Sequence, residues 1–167
     1  TSRLTEEMVE GSKKLLDAMG IPWVQAPSEG EAQAAHMAAK RHVWATGSQD
    51  YDSLLFGSPQ MVKNLTLTGK RKIPRKNVYV DVEPELFVLT EMLGQLDLNQ
   101  RQLIDIGIMI GTDYNDGIKG IGPKKALAAV KEGKSAKDMY KQMEIEPEVD
   151  IDQLREMFLH PKVTDKY

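Results

Sequence analysis

Five carboxylates sit where their type and spacing could do chemistry: Glu29 and Glu31, Asp50 and Asp52, and Asp113 in Gly-Thr-Asp-Tyr. The members of each close pair are two residues apart. On extended backbone at a strand end, that spacing sends both side chains to one face. Two unit charges about 4 Å apart repel by roughly 4 kcal/mol at an effective dielectric near 20, so five acids gathered together require cations. Hard divalent ions meet that need, because Mg²⁺, or Mn²⁺ in its place, takes oxygen ligands and keeps waters that phosphate oxygens can replace. Two such ions about 4 Å apart can activate a water and stabilise the leaving oxygen of a phosphodiester.

Each acid also has a plainer reading. Ser28 stands three residues before Glu31 in a capping-box pattern, Asp50 could cap a helix starting at Tyr51, and Asp113 could bond its own turn. Placement after successive strands of one layer is what favours metal. Zinc is a poor alternative, because His36, His42 and His160 are scattered. There is no cysteine, which removes thiolate sites, disulfides and thiol catalysis and suits a reducing intracellular compartment. No Gly-rich Walker loop and no serine elbow appear, so nucleotide hydrolysis and acyl transfer have no support.

The elements that must position these acids follow from periodicity. Residues 5 to 19 repeat Met8, Leu15, Leu16 and Met19 at helical spacing, with Thr5 as cap and Gly20 as stop. Ile21 to Ala26 reads as a short buried strand, and Pro27 to Glu31 opens an alanine-rich helix to about Lys40. Val43 to Thr46 reads as a second buried strand, followed by a short helix near Tyr51 to Phe56. The alternation predicts a layered α/β domain with a mostly parallel sheet, whose ligands gather at the carboxyl ends of its strands. Trp23, Trp44 and Phe56, with Met8, Met19 and Met37, read as core.

Met61 to Val82 is rich in β-formers, with a connection at Thr68-Gly69-Lys70. It carries Lys63, Lys70, Arg71, Lys72, Arg75 and Lys76, with no acid between Asp52 and Asp81. This run reads equally well as a DNA contact or as a solvated strand edge. From Pro84 the pattern is helical: Pro84 to Leu93 with Gly94 as stop, Asn99 to about Ile110, Lys124 to Lys131 closed by Gly133, one helix capped by Ser135 and one near Asp152 to Leu159. The expected division is therefore an α/β part over residues 1–83 and a helical part over 84–167 of one unit.

Gly117-Ile118-Lys119-Gly120-Ile121-Gly122-Pro123-Lys124-Lys125-Ala126 joins two of those helices. Its glycines permit left-handed backbone, and Pro123 suits the first position of the following helix. Backbone N–H groups there can hold a phosphate, with Lys119, Lys124 and Lys125 beside it, in a helix-hairpin-helix that reads backbone rather than bases. The plainer reading is a tight turn before a solvated basic helix. Bulk charge is silent on the matter, since 22 basic and 25 acidic residues give a formal −3. No apolar run approaches the roughly 18 residues of a membrane span, and Thr1 to Glu10 is unlike a signal peptide, so a soluble protein is expected. The direct opening into a helix pattern suggests a fragment.

In order and spacing, APSEGEAQAA (Ala26 to Ala35), SQDYDSLLFG (Ser48 to Gly57) and GTDYNDGIKGIGPKKA (Gly111 to Ala126) resemble the internal region of the flap endonucleases, most closely the archaeal kind. These are structure-specific 5′ nucleases of DNA replication and repair. TGKRKIPRKNVYV (Thr68 to Val80) and the ending FLHPKVTDKY extend the likeness over nearly the whole chain. The resemblance implies a PIN-like, layered α/β/α nuclease core with a partial parallel sheet and a helix-two-turn-helix DNA-binding region. It implies that Glu29, Glu31 and Asp50 serve one Mg²⁺, with Asp52 and Asp113 nearer a second, all five being catalytic. It implies a monovalent cation such as K⁺ on the backbone carbonyls of Gly117, Ile118 and Ile121. Lys119, Gly120, Gly122, Lys124 and Lys125 would then meet DNA.

The family's amino-terminal part, with two more metal-binding aspartates, basic catalytic residues and a helical arch, has no counterpart in these 167 residues, and neither does its sliding-clamp tail. The expected function is thus 5′ flap endonuclease and 5′-3′ exonuclease chemistry on branched or flapped DNA, inactive or nearly so until the missing half is supplied. The sheet would lack its first central strand. The alternatives are a non-catalytic duplex-DNA-binding module and a general acidic-cluster single-strand nuclease. The compartment would be that of the DNA: cytoplasm or nucleoid in an archaeon, nucleus in a eukaryote.

Overall fold

The first helix forms as its caps dictate. In the computed structural model, which describes residues 4–65, 69–72 and 77–167, α1 runs Glu6–Met19. The Met8 N–H donates to the Thr5 hydroxyl at 3.3 Å, and Gly20 closes the helix in left-handed backbone. No residue of α1 is buried, and Met19 is 61% exposed. The core reading of Met8, Met19, Trp23 and Trp44 is therefore corrected, since all four are exposed and Trp44 reaches 68%. The expected strand at Ile21 to Ala26 forms no ladder either. Trp23 instead lies against α1, its Nε1 donating to Asp17 at 2.9 Å.

Helix α2 (Gly30–Ala39) buries Ala32, Ala35 and Ala38. It stands over a three-stranded sheet ordered β1 (Thr46–Gly47), β2 (Gln60–Lys63) and β5 (Glu85–Val88). Strands β1 and β2 run parallel, with Thr46 opposite Met61, whereas β2 and β5 run antiparallel, from Gln60 opposite Val88 to Lys63 opposite Glu85. The sheet is thus mixed, and only Thr46 and Gly47 of the second expected strand region join it.

The helix expected from Pro84 is corrected in the same place. Residues 85–88 pair with β2, and α4 occupies Leu89–Leu96, running through Gly94 to a left-handed cap at Asp97. A four-residue run such as Glu-Leu-Phe-Val has no period long enough to choose, and the free side of β2 decides for strand. Strands β3 (Gly69–Lys72) and β4 (Tyr79–Val82) form a separate antiparallel pair, so Gly69 and Lys70 open a strand. Thr68, Arg75 and Lys76 lie outside the described residues.

Between β1 and β2 lies the short helix α3 (Asp52–Leu55). The remaining helices are α5 (Gln100–Ile110), α6 (Pro123–Lys131), α7 (Ala136–Gln142) and α8 (Ile151–Leu159). Asn99 and Ser135 close capping boxes on α5 and α7, and Pro123 is the first residue of α6. Ile104, Ile108, Met109, Ile118 and Phe158 are at the centre of their core. A smaller cluster of Leu54, Met61 and Leu89 lies beside the sheet, and Leu103 packs against both. Asp105 joins three helices, accepting from Arg155 Nη2 at 2.6 Å and Nε at 3.1 Å and from the Ala136 N–H at 3.3 Å. Among the described residues, no helix is long and apolar enough to cross a membrane.

Candidate functional site

Glu29 is the N-cap of α2 and Glu31 lies in its first turn, while Asp50 follows the carboxyl end of β1 and Asp52 starts α3. Asp113 lies on the turn after α5, where the Thr112 hydroxyl donates to Asn115 Oδ1 at 2.8 Å and buried Asn115 donates to the Ile108 carbonyl at 2.8 Å. Three acids thus lie at helix N-termini, where each gains only about 0.3–1 kcal/mol from the dipole.

The plainer roles go unfilled. Helix α2 is capped by Glu29 rather than Ser28 and has no side-chain cap bond, and α3 has none at Tyr51. The turn at Asp113 is bonded by Thr112 and Asn115 instead.

The acids feel one another. Burial pushes the Asp52 carboxyl from 3.8 up to about 6, reinforced by the charges of Glu31, Asp113, Asp50 and Glu29. Asp52 therefore feels the charge of the other four. Among the described residues, however, no three His, Asp or Glu groups close on a single metal position. These two observations fit together if the cluster is open. Mg²⁺ is commonly held by one or two carboxylates with retained waters and substrate phosphates rather than by an all-protein cage. The donors are uniformly hard oxygens, so their chemistry fits Mg²⁺ or Mn²⁺.

Three residues join the site that spacing did not reveal. Ser48 donates to the Glu31 carboxylate, and Ser53 lies 3.3 Å from Glu31 Oε1. Burial first and the nearby Glu29 carboxylate second push the Tyr114 phenol upward. The Tyr114 ring packs edge-on against Phe158, 5.7 Å between centroids, which links the acids to the helical core. Only adjacency to Asp50, Asp52 and Asp113 could have flagged these three. Lys63 lies over the Tyr51 ring at 4.0 Å, so this member of the basic run faces the acid-bearing loop.

The glycine turn continues directly from Asp113. Gly117 has φ +73°, and a Cβ there would lie 2.5 Å from the backbone of Ile110 and Gly111, so glycine is required by both conformation and space. The Ile118 N–H donates to the Met109 carbonyl at 2.8 Å, which fixes the turn against α5. Of the three carbonyls expected to hold a monovalent cation, that of Ile118 accepts from the Ile121 N–H at 2.9 Å. Those of Gly117 and Ile121 have no donor among the described residues. Lys119, Gly120 and Lys124 are exposed and Gly122 is half-buried at the start of α6, while Lys125 donates to the Gly120 carbonyl at 2.9 Å and braces the turn.

The family profile described as the XPG I-region matches residues 20–113, a stretch containing all five acids. The chain belongs to the XPG I-region family. Over 99% of its length it is 58% identical to flap endonuclease 1 of Thermococcus onnurineus, covering 48% of that protein. The solved flap endonuclease-1 of Methanococcus jannaschii superposes with a TM-score of 0.82 at 48% identity, over 98% of this chain and 47% of that one. The catalytic core of Rad2, solved in complex with DNA substrate, shares the fold, with a TM-score of 0.75 at 24% identity over 97% and 58% of the two chains. The layered α/β nuclease core expected from the sequence is the fold of this family, carried here on a mixed sheet. The chain spans about half the length of the relatives it matches.

Proposed function

We propose that this chain is the acid-bearing, DNA-gripping half of a flap endonuclease, hydrolysing phosphodiesters of branched or flapped DNA inside the cell once the preceding half of the family's fold is joined to it. What supports the reading is that Glu29, Glu31, Asp50, Asp52 and Asp113 all lie in the family-matched stretch and that the charges of the other four act on Asp52. Glu29, Glu31 and Asp50 would hold one Mg²⁺, and Asp52 and Asp113 a second, with Mn²⁺ as substitute. Such ions supply Lewis-acid polarisation of the phosphodiester and lower the pKa of a water.

The protein's own residues do the rest. The first turn of α2 and the loop after β1 present their carboxylates to one space. The Tyr114 phenol lies close enough to Glu29 to feel its charge. The N–H groups at the start of α6, with Lys119 and Lys124, bind duplex phosphate, and Lys125 keeps the Gly120 turn in shape. The carbonyls of Gly117, Ile118 and Ile121 would take K⁺ between the turn and a DNA phosphate. Residues 1–83 and 84–167 act as two parts of one unit, with β5 of the second paired to β2 of the first and Leu103 packed against both clusters.

The exposed apolar side chains of α1, with Trp23, are the surface the remaining part of the family's fold would cover, an assignment supported by a span of about half the matched relatives. A second reading, a duplex-DNA-binding module without catalysis, draws on the lack of any three-acid metal position among the described residues. A labelled 5′-flap DNA with Mg²⁺ separates the two. Cleavage appears only when the amino-terminal half of the Thermococcus onnurineus relative is added to this chain. Duplex binding without cleavage by the assembled pair would instead support the binding module.

A further inference from the structure

The Ser48 hydroxyl stands between the Glu31 carboxylate and the backbone of Asp50, which arrive on different elements. It donates to Glu31 in the first turn of α2 and accepts the Asp50 N–H at 3.1 Å in the loop after β1. A hydroxyl has one proton and two lone pairs, and an ionised carboxylate can only accept, so this arrangement uses the proton on Glu31 and leaves a lone pair for Asp50. Ser53, 1% exposed, approaches the same Glu31 oxygen, Oε1, at 3.3 Å from 22 residues along the chain. Both hydroxyls therefore gather on Oε1. Oε2 has no hydrogen-bond partner among the described residues.

We propose that Ser48, seconded by Ser53, is a positioning residue that fixes the Glu31 carboxylate and the Asp50 loop in one register, so that Oε2 of Glu31 is presented to a divalent cation. This rests on the reading of the acids as a Mg²⁺ site. Partners behind a metal ligand restrict its rotamer, and their loss typically weakens metal binding 10- to 100-fold. A serine that merely tied α2 to the loop would affect folding and leave the cation indifferent.

The test is Mn²⁺ binding to the chain by electron paramagnetic resonance, competed with Mg²⁺, with circular dichroism as the control for folding. Ser48→Ala weakens Mn²⁺ binding by about tenfold, while Ser48→Thr, which keeps the hydroxyl, binds as wild type. Ser53→Ala weakens binding in the same direction and provides the test should Ser48→Ala not fold. In a Glu31→Gln background Ser48→Ala adds nothing, because its effect passes through Glu31. Wild-type affinity in folded Ser48→Ala and Ser53→Ala, alongside loss in Asp50→Ala, would overturn the positioning role and leave the metal site standing. An undiminished Ser48→Ala effect in the Glu31→Gln background would also overturn it. Absence of Mg²⁺-competed Mn²⁺ binding in the wild-type chain would overturn the metal site and the positioning role together.

Discussion

Asp52 is where the electrostatic cost of gathering the acids is concentrated. Folded and metal-free, it holds its proton to about pH 6, against 3.8 ordinarily, so the folded state binds more protons across that window. Its contribution to stability is complete below the lower value and lost as pH rises through the upper one. The expected outcome in chelator is that Asp52→Asn melts higher than wild type at neutral pH and that the gap closes in acid. Thermal melts across pH, with and without Mg²⁺, check it, and saturating Mg²⁺ should narrow the gap by stabilising the wild type. A gap of equal size at every pH would contradict the cause given. The acids were legible in the sequence because side-chain type and i, i+2 spacing are local properties. Ser48, Ser53 and Tyr114 were not, since serine and tyrosine occur everywhere and their roles come from approaches such as that of Ser53 to Glu31, 22 residues away.

At the scale of elements, the buried Asp105–Arg155 pair ties α5 to α8 and, through the Ala136 N–H, to α7. Both side chains are 7% exposed. Removing Asp105 leaves the buried Arg155 guanidinium only its 2.7 Å contact with the more exposed Asp152, so Asp105→Ala should cost about 3 kcal/mol in urea unfolding, the low end for a broken buried pair. A loss below about 1 kcal/mol would mean water reaches the guanidinium, as at a surface pair. The turn before α6 makes a different prediction. Lys124→Ala weakens duplex binding and lowers the salt slope by about 0.9 for one lost phosphate contact, measured by titration at several ionic strengths. Lys125→Ala changes the slope less, because its ammonium is engaged by the Gly120 carbonyl. An unchanged slope in Lys124→Ala would mark that lysine as merely solvated. Elements with their own punctuation were readable: Thr5, Asn99 and Ser135 cap the helices they were expected to cap. Elements decided by a partner were not. Residues 85–88 became a strand because β2 was there to pair with, and Ile21 to Ala26 did not because no described strand pairs with it.

The whole molecule divides its charge and its packing in a consistent way. A formal −3 sums 25 acids, of which five form the candidate set, and 22 basic residues, of which three surround the turn that follows Asp113, so net charge alone conceals both. The helical part is well packed around Ile104, Ile108 and Phe158, whereas α1 buries nothing. The exposed Met8, Leu15 and Met19 of α1, with Trp23 beside them, are more apolar surface than scattered single residues would give. The α/β class and the acid set could be read from the chain, but this open side could not, because a helical period is the same whether or not anything covers it. The central claim is that the acids perform the chemistry while the glycine turn holds the DNA. The most direct measurement compares wild type and Asp50→Ala in the assembled pair, scoring cleavage and binding of one 5′-flap DNA in Mg²⁺. Cleavage should vanish in Asp50→Ala with affinity nearly unchanged; undiminished cleavage, or equal loss of cleavage and binding, would contradict the account.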